Sequence, residues 1–164
     1  MKAKRINPLP QLKQLSLEHT ATFKAIAEGV LSRTITSEGY MDLTVEMVGR
    51  LEIGALTTLE YSFCHYGEQN GDQMRDPEMV FSVIVAPGND WHVYPHYYRN
   101  DYAFGYETES LVLREKGLMV CRRMQADQAS FARDWMNNLK AQGFLEEAGK
   151  QPVERKLKRE EAGA

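Results

Sequence analysis

The densest run of chemically capable side chains lies between His65 and Glu78, where His65, Glu68, Asn70, Asp72, Arg75, Asp76 and Glu78 share one short span. Hard oxygen donors at this density are what calcium or magnesium prefers. If a cation were held here, Asn70, Asp72, Asp76 and Glu78 would be its ligands, but their spacing is not that of an EF-hand, whose donors recur at alternate positions before a distal Glu. His65, Asp72, Asp76 and Glu78 could instead do acid–base work. That requires two groups converging on one cleft, in environments that separate their pKa values. His65 and Glu68 also form a His-x-x-Glu pair, which on a strand points to opposite faces. The chain contains no Gly-x-Ser-x-Gly, no phosphate-binding Gly-Lys loop and no His-Glu-x-x-His. We therefore expect neither metal nor cofactor, and the reading leans away from an enzyme. The plain structural account is that Asn70-Gly71 and Asp76-Pro77 form turns in a long connection, with Arg75 paired to a nearby carboxylate.

Recognition is the stronger alternative. Tyr61, Tyr66, Trp91, His92, Tyr94, His96, Tyr97, Tyr98, Tyr102, Phe104 and Tyr106 crowd the middle of the chain with amphipathic rings. Strand alternation assigns Trp91, Val93 and Tyr97 to one face and His92, Tyr94, His96 and Tyr98 to the other. One face must meet the core, so the second can display rings to a partner, with Arg99 beside them. Tyr94, Tyr98, Arg99 and Asp101 thus join the 65–78 residues as the expected binding set.

The elements that must position these residues are readable from periodicity. Leu12, Leu15, His19, Phe23, Ile26 and Val30 recur at helical steps and predict a helix over 11–31, with Thr34-Ile35-Thr36 marking its exit. Alternation then predicts strands over 41–47, 56–66, 79–85 and 91–98, with Pro95 implying an edge position or a bulge. Weaker strands are expected over 101–113 and 118–124. A second helix is expected with Asp127 as N-cap and Phe131, Trp135 and Leu139 as a core stripe, closed by Gly143 and Phe144. The expected fold is a single α+β domain: an N-terminal helix, an antiparallel sheet of five or six strands, and a C-terminal helix packed on one sheet face. The core stripe should face Leu43, Val45, Phe63, Phe81 and Val83. Residues 1–10 read as a flexible arm, 11–145 as the domain and 146–164 as a charged tail, helical or disordered.

Bulk chemistry narrows the partners. A chain of 164 residues, 43% hydrophobic and 26% charged, has the composition of one globular domain. A net charge of -3 gives no reason to expect non-specific nucleic-acid binding, which rests on a basic face, and leaves a local basic patch open, so nucleic acid ranks third after a protein partner and the enzyme alternative. The two cysteines, Cys64 and Cys121, are too few for a disulfide scaffold and read as buried thiols. No apolar run reaches the length of a membrane span and the N-terminus lacks the apolar core of a signal peptide, so a cytoplasmic protein is expected. A homo-oligomer stays open.

One resemblance adds to this. His65-Tyr66, Glu68-Gln69-Asn70-Gly71-Asp72, Met74 and Asp76-Pro77-Glu78-Met79 followed by Phe81 resemble the signature of an uncharacterised bacterial domain family of plasmids, integrative conjugative elements and phages. Tyr98 to Tyr102 is similar to a Tyr/Phe-Arg-x-Asp-Tyr segment of that family, and Phe131-Ala132, Trp135, Asn138 and Gln142-Gly143-Phe144 to its closing pattern. The resemblance spans about residues 39–145, with no counterpart for the first helix or the charged tail. It implies a genomic setting and no catalytic residue. By analogy it implies a non-catalytic accessory protein of a mobile element, acting by protein–protein binding to inhibit or modulate a host system.

Overall fold

In the computed structural model, residues 5–53, 55–115 and 117–151 are described. Six strands form one antiparallel meander in chain order: β1 (Ser32–Ile35), β2 (Leu43–Ile53), β3 (Leu56–Gln69), β4 (Asp72–Ala86), β5 (Asp90–Asn100) and β6 (Tyr106–Glu109). A separate hairpin, β7 (Leu111–Arg114) and β8 (Gly117–Val120), follows. Helix α1 (Leu17–Ala27) precedes the sheet, and α2 (Arg122–Ala141) and α3 (Phe144–Lys150) close the chain. Each sequential strand pairs with its neighbour, as short turns without crossover helices require. The expected α+β architecture is the one found.

The helices cover one sheet face. Phe23 of α1 stacks on Phe63 with ring centroids 4.6 Å apart and meets Phe81 edge-on at 4.9 Å. Leu43, Val45, Phe63, Phe81 and Val83 are fully buried around it, with Trp135, Met136 and Leu139 of α2. Phe131 departs from the expected stripe: it is 39% exposed. Helical geometry explains the departure, because the buried face runs through Gln125, Gln128, Ala132, Trp135, Met136 and Leu139 and leaves Phe131 on its flank. Nor is Asp127 the N-cap; α2 begins five residues earlier, behind Cys121, which is exposed while Cys64 is buried.

Helix α1 is shorter than the expected 11–31. Ser16 ends the preceding extended segment and its hydroxyl accepts from the His19 N–H at 3.2 Å, an N-cap inside the apolar repeat. Leu12 and Leu15 are buried from that extended segment, where the Leu15 N–H donates to the Val93 carbonyl at 2.9 Å. The β-branched exit is itself a strand, β1. Residues 5–10, expected as a loose arm, lie against the opposite sheet face. There the Leu9 N–H donates to the Tyr94 hydroxyl at 3.2 Å, and Leu12, Ile84, Tyr94 and Leu111 form a second, smaller core.

Two irregularities shape the site. Val80 pairs with Tyr97 but Phe81 with Pro95, so His96 is an extra residue on β5. Pro95 thus marks a bulge on an interior strand, the second of the two positions its missing N–H allows. Cys64 pairs with Glu78 and Tyr66 with Arg75, which sets Asp76 and Pro77, joined by a cis bond, opposite His65 alone. The long 65–78 connection expected from sequence therefore does not exist. β3 and β4 run through it, and the turn is Asn70-Gly71 alone, with φ of 53° and 84°. Paired positive φ values match the right-handed twist of a two-residue hairpin.

Candidate functional site

The far end of the β3–β4 hairpin meets the segment that follows β5. Asn100 accepts from the Tyr102 N–H at 3.0 Å and so opens a 3-10 turn over Asp101–Ala103, which breaks the strand expected over 101–113. Asp101 ties this turn to the sheet: one carboxylate oxygen accepts from the Arg75 backbone N–H and the other from Arg99 Nε, both at 2.8 Å. Those bonds hold the Asp101 carboxyl below the usual carboxylate range, the Arg75 N–H first and the Arg99 guanidinium second. Asn100 Nδ2 donates to Asp76 at 3.1 Å, and the Tyr102 hydroxyl donates to the Glu68 carbonyl at 3.5 Å. The Tyr102 hydroxyl lies against Gly67, in space that a Cβ at residue 67 would fill.

Hydrogen bonds therefore join the far part of the 65–78 segment, from Glu68 to Asp76, to the 100–102 turn at one corner of the sheet. Its outer rim carries Tyr102, Phe104 and Tyr106, all exposed. Phe104 is wholly in solvent and held at φ 58°, a conformation that bulky side chains rarely adopt.

The expected binding residues divide among five places. Arg75, Glu78, Arg99 and Asp101 gather at the corner: the Ser62 hydroxyl donates to Glu78 at 2.7 Å, Arg75 Nε lies 3.4 Å from Glu78, and Arg99 also approaches Glu107 at 3.7 Å. Asp76 joins them through Asn100. Glu68, Asn70 and Asp72 are exposed at the hairpin end. His65 is a core residue, whose Nδ1–H donates to the Asp42 carbonyl at 3.1 Å while Nε2 accepts from the Trp135 indole at 3.2 Å. Burial lowers its pKa and keeps the ring neutral. Tyr94 is fully buried under residues 7–9. Tyr98 sits on the helix-covered face against Phe131, at 5.0 Å between centroids, because the bulge at His96 moves Tyr97 and not Tyr98 to the side of Tyr94.

The acid–base set His65, Asp72, Asp76 and Glu78 is thus spread over the core, the hairpin end and the corner. Among the described residues no group of His, Cys, Asp or Glu side chains is arranged to hold a metal ion. Cys64, beside Glu78, has its thiol pushed up to about 12 by burial and then by the Glu78 charge, far from a reactive thiolate.

The sheet's second face holds a buried polar cluster that strand alternation alone does not reveal. His96 Nε2 lies 3.0 Å from Glu60, and Nδ1 lies 3.0 Å from Glu109. Glu60 also accepts from the Ser82 hydroxyl at 2.8 Å. Burial alone would lower the His96 pKa; the hydrogen bonds and charges of Glu109 and Glu60 override it and raise it to about 9. Both ring nitrogens are engaged and the imidazole is a cation at neutral pH, so His96 has no free lone pair with which to accept a proton. It is an electrostatic pin joining β3, β5 and β6. The sequence carries little signal of it, since Glu60 falls in step with Thr58 and Ser62 on the polar face of an alternating strand, and its partners lie far along the chain.

The fold and this corner define a small α+β domain with a hydrogen-bonded, aromatic-rimmed surface. The chain belongs to the family described as a domain of unknown function (DUF6908), which it matches over residues 12–145. The match takes in α1, which the sequence resemblance left without a counterpart. No curated protein and no solved structure matches the chain significantly. Among the described residues no helix is long and apolar enough to cross a membrane.

Proposed function

We propose that this chain is a non-catalytic protein-binding module whose contact surface is the corner formed by the β3–β4 hairpin and the 101–106 segment. The observation that carries the reading is Phe104, a large apolar ring wholly in solvent on a backbone conformation that does not favour it, flanked by the exposed Tyr102 and Tyr106. Folding gains nothing from such a ring, whereas aromatic anchors dominate protein interfaces. The hydrogen bonds of Asp101, Asn100 and Tyr102 hold the segment in one shape before binding, which lowers the entropy cost of association. The accessory role on a mobile genetic element, in the cytoplasm and directed at a host system, rests on the sequence resemblance.

The test is affinity capture from host lysate with wild type and Phe104→Asn, identified by mass spectrometry. Asn tolerates positive φ, so the variant should fold at least as well as wild type. A partner retained by wild type and lost by the variant supports the reading. Equal capture by both removes the corner from the contact surface.

A further inference from the structure

Beside the corner, where α2 leaves the edge of the sheet, a cleft of about 260 Å³ opens between β5, β6 and α2. Tyr98, Tyr106 and Phe131 wall it. The Tyr98 and Tyr106 centroids are 6.1 Å apart at an interplanar angle of 63°, and those of Tyr98 and Phe131 are 5.0 Å apart at 72°. Three rings turned steeply to one another present their faces and edges to a shared space. Asp127 stands in the same lining, exposed, with no hydrogen bond or ion pair among the described residues. Arg123, one turn earlier on α2, is exposed.

We infer that this cleft is an arginine pocket, receiving the guanidinium of an arginine side chain from the protein partner. This rests on the protein-binding reading given above. The ring quadrupoles attract a cation lying over their faces, and the free carboxylate supplies the opposite charge at the pocket wall. A planar guanidinium can stack on a tyrosine face and still bond a carboxylate through two N–H groups, which a compact ammonium cannot do. Gln128 Nε2 donates to the Thr108 carbonyl at 3.2 Å, so the β6 edge beside the cleft is partly occupied and a side chain suits the place better than an added strand.

The test titrates the full chain with a capped pentapeptide carrying one arginine between glycines, followed by NMR of the aromatic rings. The control peptide carries citrulline, which has nearly the same shape without the charge. The Tyr98, Tyr106 and Phe131 ring resonances should shift saturably with the arginine peptide, which should bind at least about threefold tighter than the citrulline peptide. Asp127→Asn should weaken the arginine peptide about three- to fivefold, with Trp135 resonances unchanged as evidence of an intact fold. No shift of the three rings, or equal binding of the two peptides, would overturn the pocket. Phe104→Asn separates this result from the broader reading, because Phe104 lies outside the cleft and its loss should leave peptide binding intact. A silent titration with Phe104-dependent partner capture sinks the arginine pocket alone. A positive titration with Phe104-independent capture sinks the corner alone.

Discussion

Raising the pH from 6 to 10 should remove a defined part of this protein's stability, and His96 should be the cause. Its imidazolium is held at 3.0 Å by Glu60 and by Glu109, and its pKa is raised to about 9 from an ordinary 6.5. At about 1.4 kcal/mol per pH unit, that gap corresponds to about 3 kcal/mol. The sign follows from which state holds the proton more tightly. The folded state does, so the contribution is fully present below about pH 6.5 and is lost as the pH rises through about 9. Roughly half of it should remain near pH 8. Guanidinium titrations of wild type and His96→Gln across this range isolate it. Tyr66, Tyr94 and Cys64, each raised to about 12, titrate alike in both proteins and cancel in the difference. The variant also carries a constant penalty for leaving Glu60 buried without its cation, so the informative quantity is the slope. The gap between the two stability curves should shrink by about 3 kcal/mol from pH 6 to pH 10. Parallel curves would mean that His96 carries no extra proton in the fold, and the pin between β3, β5 and β6 would have to be abandoned.

Other expectations follow from packing and hydrogen bonding. Trp135→Ala should cost about 3–5 kcal/mol in a denaturant titration, since it empties a buried ring site and strips His65 Nε2 of its donor; a loss under about 1 kcal/mol would contradict the packing. Gln128→Ala should cost about 2–3 kcal/mol, because Gln128 donates to the His96 and Thr108 carbonyls at 3.2 Å and accepts from Ser110 at 2.6 Å; unchanged stability would show that water replaces it. His65 should act opposite to His96: its lowered pKa means that its contribution is present above about pH 6.5 and is lost on acidification. His65→Phe should therefore flatten the acid side of the stability curve, and an unchanged acid limb would refute a neutral His65. Phe104→Asn should leave the thermal midpoint unchanged or raise it, by up to about 1 kcal/mol of stability, because the ring buries nothing and Asn suits the positive φ. A clear loss would mean that Phe104 has a folding role.

The elements were legible where one period ran unbroken. Leu43 to Met47 alternates cleanly, and the structure puts Leu43 and Val45 in the core as alternation requires; Phe81 and Val83 are core too, but Ile84 breaks the alternation by being buried on the other face and Val85 is 44% exposed. Legibility failed where a single residue shifts the register. The His96 bulge exchanges the faces of Tyr97 and Tyr98, and Asp76-Pro77, a turn by local chemistry, is absorbed into β4 opposite His65 because a bulge tolerates a missing N–H. The His96 bulge also leaves backbone carbonyls that something must satisfy, and α2 does so. Gln125 donates to the Pro95 carbonyl at 3.1 Å and Gln128 to that of His96. Two polar residues on the buried face of a helix read as surface in any hydropathy pattern, which is why Phe131 looked central and is in fact a wall of the open cleft. The aromatic corner was visible as composition, because rings clustered from Tyr97 to Tyr106. Its geometry was not, since it depends on Asp101 bonding to a backbone N–H of β4, a contact between segments that no local pattern encodes. A polar residue that closes a distant backbone bond and one that meets a partner are the same letter in the sequence; only the burial of its hydrogen-bonding atoms tells them apart. By that criterion Asp101 builds the surface, whereas the Phe104 and Asp127 side chains, exposed and without hydrogen-bond or ion-pair partners among the described residues, are where the proposed contacts fall.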